Sequence, residues 1–271
     1  MKKGFASRVL SPWPQWLLFP PLLSVAAWAV AAAAAPNPCG GSGRAPYAEI
    51  DSLYLHRNIP GHLDSDLRLI ARALRHSQDN PALLWREGRA LVRQGEERPS
   101  TKERRADFSR ARDILTASVR GAHQCPQAHY WLGLSLGLLG REDGLIKSAF
   151  LVAPLKRQME EAIRLDPLDG RPHRVLGELY ESLPQMLGGG HGKALSEFQT
   201  AARLSPRDSS ARLALAQAYR RRGMRSQARA ELESIVQEKN PLDPAEYADD
   251  LKEARELLLE NNASPGGKRS P

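Results

Sequence analysis

The stretch Ala194-Leu195-Ser196-Glu197-Phe198-Gln199-Thr200-Ala201-Ala202-Arg203-Leu204-Ser205-Pro206 decides the fold. Ala194, Phe198 and Ala201 fall on one face of a helix, and Pro206 cannot continue it. All three positions recur 34 residues later as Ala228, Leu232 and Ile235, followed by Asn240-Pro241. An earlier copy ends in Ala162-Ile163-Arg164-Leu165-Asp166-Pro167. A period in this range makes a stacked array the first hypothesis, since each unit can bury its apolar face only against a neighbour.

A second signature precedes each copy: Leu132-Gly133 with Leu136, Leu176-Gly177 with Tyr180, and Leu215-Ala216 with Tyr219, with a weaker one at Glu87-Gly88 and Leu91. A small residue at the Gly133, Gly177 and Ala216 slots lets the first helix of a unit lie close to the second, where Met159, Phe198 or Leu232 fills the groove. The spacing is uneven. The middle copy carries extra residues within Leu183–His191, and the copy before it inserts the apolar run Leu145–Val152, which reads as a helix ending before Pro154. Having no charge between Lys147 and Lys156, that run must be buried, either as cover over a gap left by the irregular repeats or with Ile146, Phe150 and Leu151 lining an apolar pocket. Such a pocket would make the chain a transporter-associated component that binds a hydrophobic small molecule. In the first unit, from Trp85, the first helix stops near Gly95 and a polar excursion occupies Glu96 to Arg105.

These residues resemble the tetratricopeptide repeat, with its W-x2-L-G-x2-Y, A-x3-F and P positions. His129, His173, Arg212 and Leu84 stand where its Trp is expected, which accounts for an aromatic content of 6%. The irregular spacing, with the turn Leu183-Pro184-Gln185-Met186-Leu187-Gly188-Gly189-Gly190, is similar both to exported bacterial tetratricopeptide proteins such as the TRAP-transporter-associated component and to microtubule-dynamics-regulator-like proteins. Over about residues 63 to 241 the resemblance implies an all-α, right-handed solenoid of helix-turn-helix units that binds rather than catalyses and needs no cofactor.

Around this array, Lys2, Lys3 and Arg8 precede an acid-free apolar run from Trp16 to Ala35, the pattern of a secretory signal over residues 1–35. An uncleaved membrane anchor is the alternative, and it would give membrane association through the N-terminus. Export would place the chain in the periplasm or outside the cell. Residues 36–62 read as a linker, 63–260 as the solenoid, and 261–271 as a disordered tail. The last helix, from about Pro244 to Glu260, carries an apolar stripe of Tyr247, Leu251, Ala254 and Leu258. Its acidic face of Glu246, Asp249, Asp250, Glu253 and Glu256 suits a solvated end cap. Cys39 and Cys125 are the only cysteines; they suffice for one bridge, and whether they pair is left open.

A formal charge of +8 raises nucleic acid as a partner. The arginine run at 220–222 lacks interleaved aromatics and complements a helix C-terminus without any partner, which excludes that class. His123, Cys125 and His129 match no zinc spacing, no metal site is expected, and no nucleophile or phosphate-loop motif occurs. What stays is a groove. Stacked first helices would line it with Trp85, Arg89 and Arg93, then Gln127 and Tyr130, then Arg171, Arg174 and Glu178, then Gln217, Arg220 and Arg221. That set is richer in arginine than in acids, so an acidic protein or peptide segment is the expected partner; a merely solvated charged face would use the same residues.

Overall fold

The computed structural model describes residues 39–40 and 47–263, without the side chains of 145–148 and 261–263. The chain divides into two units, Met1–Ala35 and Pro36–Pro271. The first unit, with its signal or anchor reading, lies outside the described residues, as do most of the Pro/Gly segment before Tyr47 and the tail after Ala263. Among the described residues there are eleven α-helices and one 3-10 turn, and no strand. None of the described helices is long and apolar enough to cross a membrane.

Helices α1 (Tyr47–Leu55) and α2 (His62–Leu74) pair first. Then come α3 (Pro81–Glu97) with α4 (Thr101–Gly121), α5 (Pro126–Asp143) with α6 (Leu145–Leu165), α7 (Arg171–Ser182) with α8 (His191–Leu204), and α9 (Ser209–Arg221) with α10 (Arg225–Gln237). Helix α11 (Pro244–Ala263) closes the stack, packing on α10 and α9. The expected all-α tetratricopeptide solenoid is the observed fold.

The small-residue slots work by contact. A Cβ on Gly177 would meet the Phe198 ring at 2.6 Å, one on Gly133 would meet Met159 Cε at 2.4 Å, and one on Gly88 would meet Leu115 Cγ at 2.3 Å. Phe198, Met159, Leu115 and Leu232 are buried to 1% exposure or less, each contributing about 1.5–3 kcal/mol of apolar burial. Starts and stops follow local chemistry. Asn80, Ser100 and Asp208 each accept backbone N–H bonds at the start of α3, α4 and α9, and Asp243 Oδ1 does the same for Ala245 and Glu246 in α11.

Four expectations fail here. Residues 36–62 are not a linker throughout, because α1 lies within them and buries Ile50 and Tyr54, so α2 has a partner. The polar excursion after α3 shrinks to Arg98–Ser100, since Ser100 caps α4 and draws Thr101 to Arg105 into its first turns. Pro154 does not end the inserted helix: α6 runs through it to Leu165. Proline there removes only the bond to the carbonyl of Phe150, a residue 78% exposed, where water can replace it. That same exposure contradicts a buried insert, although Leu151 does pack partly against the core.

Candidate functional site

Helices α1, α3, α5 and α7, the loops before α7 and α9, and the start of α11 enclose a cleft of about 600 Å³. Its floor is aromatic: Trp85, Tyr54, Tyr130 and Trp131, with Tyr54 and Tyr130 each edge-on to Trp131. Cys39 and Cys125 are joined in a disulfide, Cα to Cα 5.0 Å, which holds the Cys39–Gly40 segment against one wall. There the Cys39 carbonyl accepts from Trp85 Nε1 at 2.9 Å and Arg86 Nη1 at 3.0 Å.

The arginines stand in a row along this floor. Arg89 lies 3.7 Å above the Tyr54 ring centroid and pairs through Nη1 with Asp51 at 3.0 Å, while its buried Nε and Nη2 have no hydrogen-bond partner among the described residues. Burial holds its pKa below the usual guanidinium value, against the pull of Tyr54, Asp51 and Asp66. Arg93 donates to the Tyr54 hydroxyl at 3.1 Å, to Glu96 at 2.8 Å, and to Glu246. Arg171 is held by Asp169 and sits 4.9 Å from the Tyr130 ring centroid. Arg174 donates to Glu178 at 2.6 Å, and its buried Nε has no partner among the described residues. Burial, only partly offset by Arg174 and Arg171, pushes the Tyr130 phenol up to about 12, so it remains a neutral donor.

Of the residues expected to line a groove, Trp85, Arg89, Arg93, Gln127, Tyr130, Arg171 and Arg174 come together here. Glu178 lines an adjoining cleft with Arg141 and Ser210. Gln217, Arg220 and Arg221 are engaged elsewhere, with Glu253, Glu260 and Glu181. Counting along first helices missed Asp51, Tyr54, Asp208 and Glu246, because they come from α1, the loops and α11, and it passed over Arg86, which lies on α3 beside Trp85.

The expected arginine excess is also corrected: five arginines face six carboxylates along the lining. The acidic face of α11 is a solvated cap only in part: Asp249 and Glu256 are exposed, whereas the other three acids are engaged. Glu246 accepts from Arg93 and Ser210, Asp250 from Ser209 and Ser210, and Glu253 from Gln217. Burial alone would raise the Glu246 carboxyl, but Arg93, Arg174 and Arg57 outweigh it and hold the pKa below the usual range. With Phe150 turned to solvent, an apolar pocket beneath it loses its support, and the Ile146 side chain lies outside the described residues. No cluster of His, Cys, Asp and Glu able to hold a metal occurs among the described residues.

No curated protein matches the chain in sequence. Among solved structures, the tetratricopeptide protein TTC0263 of Thermus thermophilus superposes with a TM-score of 0.60 at 19% identity, over 78% of this chain and 98% of that one. A double mutant of MamA from strain RS-1 gives 0.44 at 17%, over 79% and 96%. YrrB, described as a tetratricopeptide protein with an unusual peptide-binding site, gives 0.41 at 17%, over 74% and 90%. Residues 189–254 match the tetratricopeptide repeat. Residues 47–186, from α1 into the 3-10 turn, match the family described as regulator of microtubule dynamics protein 1-3, and the chain belongs to that family.

Proposed function

We propose that this tetratricopeptide scaffold is an exported, non-enzymatic adaptor whose arginine-lined cleft recognises an acidic segment of a protein partner. The observation that carries the reading is the set of donors left over: Arg89 Nε and Nη2 and Arg174 Nε are buried, charged and without a hydrogen-bond partner among the described residues, beside an aromatic floor. A buried donor without an acceptor costs about 1–3 kcal/mol, and an incoming carboxylate would relieve that cost. Arginine forks suit carboxylates in particular, and the rings of Tyr54 and Tyr130 give a segment's apolar atoms a surface to lie on. Export is supported by the Lys2, Lys3, Arg8 and Trp16–Ala35 pattern, as a cleaved signal or a retained anchor, and accords with the disulfide.

Fluorescence anisotropy with a labelled Glu/Asp-rich peptide tests this. Binding should weaken at least about ten-fold in Arg171→Gln/Arg174→Gln and fall with added salt. Binding indifferent to both would refute a cleft-based recognition of acids.

A further inference from the structure

The cleft already holds a pair of carboxylates from its own chain. Arg57, in the turn between α1 and α2, donates through Nη1 to Asp243 Oδ1 at 2.9 Å and pairs through Nη2 with Oδ2 at 2.9 Å. The same Nη2 lies 3.6 Å from Glu246 Oε1, the oxygen that Arg93 also engages. Asp243, the N-cap of α11, and Glu246, in its first turn, thus sit three positions apart, gripped by two arginines from the far end of the solenoid. Arg57 is itself fixed: its side chain is 7% exposed, it stacks 4.4 Å from the Tyr54 ring centroid, and it donates to the Tyr54 carbonyl at 3.1 Å.

Capping the solenoid does not require this grip. The other face of α11 buries Ala254 against Leu213, Ala216, Leu232 and Ile235, with Tyr247, Leu257 and Leu258 packed around them. That apolar seam holds the helix, and an uncharged N-cap at 243 would start it equally well. The two carboxylates answer to the cleft instead.

Resting on the cleft reading above, we infer that Asp243 and Glu246 occupy the subsite of a partner's carboxylates. The segment the cleft fits presents two acidic side chains three positions apart on a helical turn. The chain's own pair is a built-in competitor, which a partner displaces from Arg57 and Arg93 while Ala254 stays docked.

The test uses the full chain and two labelled peptides of identical composition, followed by anisotropy. One is the chain's own residues 243–258. The other is the same residues with every acid moved out of the three-apart spacing. The native protein should bind the first weakly, and Asp243→Asn/Glu246→Gln should bind it about ten-fold more tightly, since the competing state is removed. Asn at 243 keeps the helix cap. Arg57→Gln/Arg93→Gln should abolish the preference between the peptides. Thermal melts by circular dichroism check that each variant folds, with Glu246→Gln alone as the milder substitute. Equal binding of both peptides, or no tightening in Asp243→Asn/Glu246→Gln, overturns the inference. If binding then still depends on Arg171 and Arg174, the cleft reading survives it. If neither peptide binds any of the proteins, both fall.

Discussion

Arg86 and Asp51 meet fork to fork: Nε donates to Oδ1 at 2.9 Å and Nη2 to Oδ2 at 2.7 Å, with the Arg86 side chain 1% exposed. The remaining donors reach the carbonyls of Cys39, Gly40 and Ala82. Asp51 also carries Arg89.

Removing that carboxylate strands two buried guanidinium groups. Asp51→Ala should destabilise the domain by about 3–5 kcal/mol, the usual cost of leaving a buried charge without its partner. The midpoint of urea unfolding reads this directly; a loss below about 1 kcal/mol would mean that the carbonyls alone satisfy Arg86.

The glycine slots predict opposite signs at two positions. A Cβ at 177 strikes the rigid Phe198 ring at 2.6 Å, so Gly177→Ala should destabilise by about 1–3 kcal/mol even after the helix-propensity gain. At 137 the one neighbour within 4 Å among the described residues is Leu155 Cδ1 at 3.1 Å, the far end of a flexible side chain. Gly137→Ala should therefore be neutral or stabilise by up to about 1 kcal/mol. Melting temperatures of the two variants, measured side by side, separate the outcomes.

Opening the Cys39–Cys125 bond should lower stability by about 2–5 kcal/mol. It should also free the segment whose carbonyl clamps Trp85 and Arg86. The check compares denaturant unfolding with and without reductant against Cys39→Ala/Cys125→Ala, which should be insensitive to reductant. Trp85 fluorescence should change with reduction in the native protein alone.

Asp66 gives the stability a pH dependence. Its side chain on α2 is fully buried, both carboxyl oxygens are without a hydrogen-bond partner among the described residues, and burial raises its pKa to about 7 against the opposing pull of Arg89. Because the folded value lies above the unfolded one, the neutral acid favours folding at low pH. That advantage declines as pH rises from about 4 and is gone above about 7. Asp66→Asn should therefore stabilise on the order of 3 kcal/mol at pH 8 and hardly at all at pH 4. Urea titrations at the two pH values decide it; equal effects at both would place the carboxyl's titration elsewhere.

What could be read along the chain was periodic and local. Gly133 with Met159, Gly177 with Phe198 and Ala216 with Leu232 declared the helix pairs, because the same small and large slots recur in the same order even though the connections between them differ in length. An Asp directly before Pro244 is a local start signal of the same kind, and Asp243 does cap α11. Helix α1 went unread: it is nine residues long, and its buried side chains, Ile50 and Tyr54, give too short a stripe to stand out. Pro154 misled because its cost depends on whether the Phe150 carbonyl faces water, which only the packing decides. Four of the five arginines of the cleft, all but Arg86, were found by counting along first helices, whereas their carboxylates could not be. Asp51, Asp208 and Glu246 reach the cleft from three elements with no shared spacing.

The contact between Arg57 and Asp243 bears on how the domain comes apart. In a stack whose units touch only their neighbours, either end can unzip while the rest stands. Here detaching the last helix leaves Arg57 and Arg93 without their acids at the other end, 186 and 153 positions away. Fraying at one terminus is therefore felt at the other, and the array melts as a hoop rather than as a row of independent links.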